Sequence, residues 1–320
     1  MQSSDTEPTG NDCSKHDIAI AKGDRIMKVL SYGSLNIDMV FKVPHIVREG
    51  ETLSASSMTR NAGGKGGNQA AALAKAGLNV SHAGKIGRDG LFLIENLERY
   101  GIDTSLVTVT DRSSGQAIIL LDQDSQNSIV LLAGENRNIT KEEIDAVMSS
   151  YEEGDWIVLQ NEINNIDYII DNAYEKGMKI CFNPAPFDES VLALPLDKVS
   201  LLIFNEIEGA GLAGTEIGTP IDKIIAKLEK STYSEEMILT LGKEGAVYIS
   251  KDKTIYQPII PADVVDTTAA GDTFIGYFLA SRIKGLSIEE SLEKASYASS
   301  ITVSREGAME TIPTAAEVFI

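Results

Sequence analysis

The chain has 320 residues, of which 43% are hydrophobic and 23% charged, enough for one large α/β domain with or without a small appendage. Lys and Arg number 28 and Asp and Glu 47, and the resulting net charge of −19 argues against nucleic-acid and membrane-surface partners. An anionic substrate would then need a local site built from backbone N–H groups, a helix terminus or a bound cation.

Cysteine usage and the amino-terminal segment indicate the compartment. Cys13 and Cys181 are too few and too far apart for a disulfide framework, and the three histidines show no metal-ligand spacing. Residues 1–27 are polar and lack the apolar core of a signal peptide, so we expect a disordered extension, with Met27 as a possible alternative start. A cytoplasmic location follows as a prediction.

From about residue 28 the chain alternates between apolar strand patterns and helical patterns. Predicted buried strands are Val29–Gly33, Val80–Ile86, Trp156–Gln160, Lys179–Phe182, Leu201–Phe204 and Met237–Leu241. Predicted helices are 67–76, about 140–150, 164–176 and 219–230, followed by two helices between Gly271 and about Arg305. This alternation predicts a three-layer α/β/α core around a mostly parallel sheet.

Two segments interrupt the alternation. Residues from about 39 to 57 and from about 105 to 132 resemble antiparallel strands with polar tips, and Asp122–Asn127 is typical of a hairpin turn. Strands without intervening helices predict a small separate sheet. We expect it to form a lid over the carboxyl ends of the main strands, where ligands bind in open α/β sheets.

The clearest chemical pattern is the segment from Val265 to Phe274, which reads VDTTAAGDTF and leads into a helix. Small residues before a helix N-terminus let consecutive N–H groups form an anion hole, here at Ala269, Ala270, Gly271 and Asp272. Phosphoryl transfer depends on such a site. A helix cap is the simpler interpretation of Asp272 alone, but it does not explain the small residues before it.

Two further segments are candidate substrate sites. Asn61–Gln69 reads NAGGKGGNQ and opens a helix, but its spacing fits neither a Walker A loop nor a dinucleotide fingerprint. Its glycines would allow a ligand close to the backbone, although a flexible helix-capping loop is an alternative. Gly33–Asp38 reads GSLNID at the end of the first strand, where Asn36 and Asp38 could bind sugar hydroxyls or simply form a turn.

Together, in order, these motifs resemble the ribokinase-like (pfkB) family of carbohydrate kinases over residues 28–320. The resemblance also includes shorter segments at familiar places, namely Gly87–Gly90, Asn183–Pro186, Asn205-Glu206 and Thr240–Gly242. It implies a kinase that transfers the ATP γ-phosphoryl group to a sugar hydroxyl, with Asp272 as the general base.

The resemblance also implies the remaining site residues and cofactors. The sugar would be held by Asn36, Asp38, Gly64, Lys65, Asn68, Glu162 and Asp272. ATP would contact Asn205, Thr240, Gly242, Gly271 and Ser296, and Mg²⁺ would lie near Asn205 and Glu208. A K⁺ site would involve Asp266, Thr268, Thr302, Arg305, Gly307 and Thr311.

The resemblance favours ribose, phosphorylated at O5, over fructose or a nucleoside. It also implies a homodimer formed through the lid. A non-catalytic sugar-binding regulator is the alternative from another class, but such a protein would be expected to lack Asp272 or Gly271. Three positions depart from the family pattern: Ile275, Glu135–Arg137 and Thr311. They put the nucleotide site and the cation affinity in question.

Overall fold

The computed structural model describes residues 27–124 and 126–320. The predicted disordered extension, residues 1–27, therefore lies outside the described residues except for Met27. No helix in the described part of the chain is long and apolar enough to cross a membrane.

The described residues form thirteen strands in two sheets. In chain order they are β1 (Val29–Tyr32), β2 (Asn36–Lys42), β3 (Ser57–Gly63), β4 (Val80–Gly87), β5 (Asp103–Thr110), β6 (Gly115–Leu121), β7 (Asn127–Leu132), β8 (Trp156–Gln160), β9 (Lys179–Asn183), β10 (Leu201–Asn205), β11 (Glu236–Thr240), β12 (Ala246–Ser250) and β13 (Thr254–Gln257).

Nine α-helices accompany these strands in the same described ranges. They are α1 (Lys65–Lys75), α2 (Leu91–Glu98), α3 (Lys141–Met148), α4 (Ile166–Glu175), α5 (Glu206–Leu212), α6 (Ile221–Leu228), α7 (Ala270–Ile283), α8 (Ile288–Val303) and α9 (Ala315–Val318).

The large sheet has nine strands in the order β13-β12-β11-β10-β9-β8-β1-β4-β5. Strands from β11 through β5 pair in parallel, and β12 and β13 add an antiparallel edge. Successive side chains in β8 face opposite layers: Ile157 and Leu159 pack with α3 to α6, and Val158 with α1, α7 and α8. The predicted three-layer α/β/α core is confirmed.

The small sheet has the order β3-β2-β6-β7. Strand β2 pairs antiparallel with β3 and parallel with β6, and β6 and β7 form the predicted hairpin. One predicted boundary is wrong, because residues 103–110 form β5 at the edge of the large sheet, paired with β4. The other predicted segment, 39–57, contains only the end of β2 and the first residue of β3.

Candidate active site

The candidate site lies at the carboxyl ends of adjacent parallel strands, where α/β sheets bind ligands. Strand β1 is followed by the turn that leads to Asn36, and β8 ends at Gln160, two residues before Glu162. The next three strands end at Asn183, Asn205 and Thr240. The fold therefore brings residues from distant parts of the chain to one edge of the large sheet.

Helix α7 begins at this edge with an unusual backbone conformation. Ala269 has φ 59°, in the left-handed region that a residue with a Cβ seldom adopts, and α7 starts at the next residue. First-turn N–H groups of a helix have no partner within the helix. The backbone at Gly271 is exposed, with open space on its side-chain side, so this turn can receive an anion.

The Asp272 side chain does not cap α7. The N-cap position belongs to Ala269, and the Asp272 carboxylate is buried against α1. Its Oδ2 accepts a hydrogen bond of 3.0 Å from Asn68 Nδ2, and its Oδ1 accepts one of 2.9 Å from Gln69 Nε2. The helix-cap interpretation of Asp272 is therefore wrong, since its partners lie on a different helix.

A chain of buried amides continues behind Asp272, and sequence reasoning did not assign it. Gln69 Nε2 also donates to Asn183 Oδ1 at 3.2 Å, and Gln69 Oε1 accepts from Gln160 Nε2 at 2.7 Å. Asn183 Nδ2 in turn donates to the carbonyl of Ile203 at 2.9 Å. The sequence signal that could have identified Gln69 was its position next to Asn68, within the glycine-rich motif Asn61–Gln69.

Asn36 and Asp38 lie in β2, not in a turn. Burial raises the pKa of Asp38 to about 7, and the negative charge of Glu162 adds to the effect. Gly63 lies opposite Asn36 in β3, and a Cβ on it would meet Asp38 Oδ2 at 1.9 Å. The glycine therefore leaves the space that the Asp38 carboxylate occupies.

Gly64, Lys65 and Glu162 meet at the start of α1. Gly64 has φ 91°, a conformation that favours glycine, and occupies the N-cap position. Glu162 Oε2 accepts from the Lys65 backbone N–H at 3.1 Å and from the Ser34 hydroxyl. This carboxylate thus holds the helix N-terminus against the turn after β1.

The Lys65 ammonium has an acidic environment. Burial alone would lower its pKa, but three neighbouring carboxylates outweigh burial and raise the pKa above its ordinary value. These carboxylates belong to Asp272, Glu162 and Glu208. Lys65 is therefore a cation in the site, next to the proposed base.

Asn136 holds Asn36 and the neighbouring backbone in place, and sequence reasoning treated it only as a departure from the family pattern. Its Nδ2 donates to Asn36 Oδ1 at 2.7 Å and to the carbonyl of Leu35 at 3.3 Å, while its Oδ1 accepts from the Leu35 N–H at 3.1 Å. With its oxygen engaged in this way, Asn36 presents its Nδ2 group as a donor.

A cavity of about 340 Å³ opens beside the start of α7. Four of the five residues predicted to contact ATP line it, namely Thr240, Gly242, Gly271 and Ser296. Apolar side chains, including Ile259, Ile260, Val264 and Phe274, form much of its wall. The start of α7 therefore lines this apolar cavity with Ala270 and Gly271, while the next residue, Asp272, bonds to the polar side chains of α1.

Asn205 is not among the residues that line this cavity. Its Oδ1 accepts from the N–H groups of Ile207 and Glu208 at the start of α5, and Glu208 bonds back to Asn205 N at 2.9 Å. This is a capping box. Burial raises the pKa of Glu208, while its hydrogen bonds to Asn205 and the Lys65 charge oppose the rise.

The residues predicted for K⁺ are only partly grouped by their side chains. Asp266 Oδ1 accepts from Thr268 N–H and Oγ1, at 2.9 and 2.7 Å, and its Oδ2 accepts from Gly307 N–H at 3.2 Å. The Thr311 hydroxyl donates to Ala308, and the Arg305 guanidinium donates to the Thr311 carbonyl.

The Thr302 hydroxyl also points away from that group. It lies 3.1 Å from the hydroxyl of Thr273 and bonds to the carbonyl of Ala298. In the described ranges, no group of three or more His, Cys, Asp or Glu residues could hold a metal ion. A cation here would need backbone carbonyls and ligand oxygens in addition to acidic side chains.

Comparison with known proteins identifies the family. A profile described as pfkB family carbohydrate kinase matches residues 27–315. The chain belongs to the pfkB family of carbohydrate kinases. The predicted family resemblance is thus confirmed, and this chain is a sugar kinase.

Individual relatives agree with this assignment. The chain is 35% identical over 297 residues to the bifunctional ribokinase/ribose-5-phosphate isomerase A of Fructilactobacillus sanfranciscensis, covering 90% of this chain but only 54% of that protein. It is 31% identical over 295 residues to the deoxyribokinase of Salmonella typhi, covering 90% and 96% of the two chains. The solved structure of Arabidopsis thaliana ribokinase, complexed with ribose and ATP, matches with a TM-score of 0.80, at 30% identity and with 92% and 97% of the two chains covered.

Proposed function

We propose that this pfkB kinase transfers the γ-phosphoryl group of ATP to the primary hydroxyl O5 of D-ribose, producing ribose 5-phosphate and ADP. The position of Asp272 is the observation that carries the proposal. Its carboxylate bonds to Asn68 on the polar side, and the residue before it, Gly271, lines the apolar cavity. One helix turn therefore lies next to both the polar residues proposed for the sugar and the cavity proposed for ATP.

The residues of the polar side suit a sugar. Asn36 and Asn68 supply amide groups, Lys65 supplies a cation, and Asp38 and Glu162 supply carboxylate acceptors. Buried Asn68 Oδ1 has no hydrogen-bond partner among the described residues, so a sugar hydroxyl could donate to it. Gly64 lets the sugar approach the backbone at the start of α1.

In the proposed reaction Asp272 accepts the proton of the attacking hydroxyl. The N–H groups of the turn from Ala269 to Asp272, apart from that of Ala270, which donates to the Thr267 carbonyl at 3.3 Å, stabilise the negative charge that develops on the transferred phosphoryl group. The apolar wall around Ile260 and Phe274 is suited to the base of the nucleotide, with Thr240, Gly242 and Ser296 along the same cavity. Lys65 adds positive charge next to the reacting groups.

We propose Mg²⁺ as the ion bound with ATP, near Asn205 and Glu208. The donor set fits, because Mg²⁺ usually takes only one or two carboxylates in addition to phosphate oxygens and water. Glu208 is buried and electrostatically coupled to Lys65 and Asp272. When bound, the ion would neutralise charge on the phosphates.

We also propose a K⁺ site between the loop that contains Asp266 and Thr268 and the turn after α8 that contains Gly307, with Thr302, Arg305 and Thr311 next to it. The hydrogen bonds of Asp266 already organise this loop. A cation there could stabilise the conformation of the turn from Ala269 to Asp272, because Asp266 and Thr268 directly precede that turn in sequence. The cytoplasmic location remains a prediction.

A homodimer through the small sheet, acting as a lid, is proposed from its exposed apolar residues. Val130 is 63% exposed and Leu132 55%, in a strand at the sheet edge. Apolar edge strands favour association with another chain. Light scattering should give twice the chain mass for the wild type and a monomer for Val130→Lys; a wild-type monomer would refute the dimer.

The test of the function is ADP release with Mg·ATP and K⁺ in the presence of ribose, 2-deoxyribose, fructose or adenosine. We expect the highest kcat/KM with ribose, loss of activity in Asp272→Asn, and unchanged activity in Asp222→Asn, which replaces an exposed carboxylate on α6. A preference for another acceptor would overturn the substrate. An active Asp272→Asn variant would overturn the base. Absence of turnover with every sugar would favour the binding-protein alternative.

A further inference from the structure

The buried amide of Gln69 stands out among the polar groups around Asp272. Gln69 is 0% exposed, and both N–H groups of its amide have acceptors, Asp272 Oδ1 and Asn183 Oδ1. Its Oε1 faces the Nε2 of Gln160. The amide orientation is therefore determined, since the reverse orientation would place Oε1 against a carboxylate and Nε2 against another donor.

The partners of Gln69 are held by the large sheet. Gln160 and Asn183 are directly opposite each other at the ends of β8 and β9. Asn183 is fixed further by its bond to Ile203 in β10. Rigid strand ends thus fix the Gln69 amide, and the amide contacts an oxygen of the proposed base.

We propose that Gln69 is a positioning residue for phosphoryl transfer: its amide holds Asp272 Oδ1 so that the carboxylate points toward the sugar hydroxyl. Asn68 holds the other oxygen from the same helix, so the two amides together fix the plane of the carboxylate. This inference rests on the proposed role of Asp272 as the base. It adds a residue that need not contact either substrate.

The consequence is a loss of rate with little loss of sugar binding. A carboxylate displaced by about 1 Å can reduce the rate about 100-fold. Gln69→Leu removes the donor and should lower kcat by about 10- to 100-fold, with KM for ribose within about threefold of the wild-type value. Asn164→Asp is the control, because Asn164 makes two hydrogen bonds to the backbone of Ile139, away from Asp272.

Gln69→Glu gives a readout that a purely structural role would not produce. It places a second carboxyl group next to Asp272 Oδ1, where the other charged groups facing Asp272 are Lys65 on α1 and Glu208 on α5. Two adjacent carboxyl groups share one proton. At high pH both are ionised and repel each other, and at lower pH the shared proton restores a hydrogen bond between them.

The experiment measures kcat and KM for ribose from pH 5.5 to 9, with each variant expressed as a ratio to the wild type. We expect the Gln69→Glu ratio to rise as pH falls, and the ratios of Gln69→Leu and Asn164→Asp to be independent of pH. A Gln69→Glu ratio that does not change with pH would overturn the inference. The Asp272→Asn variant separates the two claims: if it is active, the proposed base is wrong, whereas a flat Gln69→Glu profile with inactive Asp272→Asn rejects only the role of Gln69.

Discussion

Replacing Lys85 tests how the turn that carries Asn136, next to the proposed sugar site, is stabilised. Its ammonium is buried and donates to Asn138 O at 2.8 Å and to Glu143, the nearest carboxylate oxygen lying at 2.8 Å. Glu135 Oε2 lies 3.9 Å away, on the turn that carries Asn136. Lys85→Met keeps most of the side-chain volume and removes the only charge that balances these acids among the contacts described.

The expected cost follows from the burial of the two acids. Removing one member of a buried ion pair costs roughly 3–5 kcal/mol, because the partner stays buried without compensation. The Glu143 side chain is 28% exposed and can regain water, whereas that of Glu135 is only 2% exposed. We therefore expect a loss of about 3 kcal/mol in the free energy of unfolding. With about 2 cal/mol/K of unfolding entropy per residue, this corresponds to a Tm lower by about 4–5 °C.

Denaturant unfolding of four proteins measures this effect: the wild type, Lys85→Met, Glu135→Gln and the double variant. The double variant should recover part of the loss, since it also removes the most buried acid, and the non-additivity gives the coupling between the two residues. The ribose KM of Lys85→Met should rise as well, because Asn136 lies next to Glu135. A loss below about 0.5 kcal/mol, or strictly additive effects, would contradict this account.

Three further changes test the site. Burial and the charge of Glu162 raise the pKa of Asp38 to about 7, and the ionised carboxyl is the stronger acceptor for sugar hydroxyls. KM for ribose should therefore rise about tenfold from pH 8 to pH 6, as the ionised fraction falls. The same slope in Asp38→Asn would exclude this origin. Asn136→Ala leaves Asn36 Oδ1 without its 2.7 Å donor and should raise KM for ribose by about tenfold, with KM for ATP as the unaffected control. Gly66→Ala would place a Cβ 2.5 Å from the backbone of the turn after β1 and should destabilise the fold by roughly 1–3 kcal/mol; a wild-type Tm would show that the turn moves freely.

The sequence predicted the interior of the large sheet better than its edges. Strands such as β8 and β10 are buried on both faces, so they appear as uninterrupted apolar runs. Strand β5 reads DTSLVTVT and mixes polar with apolar residues, because it is an edge strand with partly exposed faces. The sequence places this segment in the lid because no helical pattern follows it, whereas in the structure it pairs in parallel with β4. The antiparallel edge formed by β12 and β13 was not predicted.

The candidate site shows a similar limit. Motifs that are contiguous in sequence, such as the segment around Asp272, predicted the local backbone structure. A helix start and a glycine run depend only on residues close together in the chain. Asn136 acts through residues about 100 positions away, and Gln69 through Asp272, more than 200 positions away. In the sequence alone, the amides of these two residues cannot be distinguished from other polar side chains. Their contacts form only when the fold brings the strand ends together. What the local pattern cannot supply is the orientation of a carboxylate, and in a reaction governed by positioning that orientation depends on such distant amides.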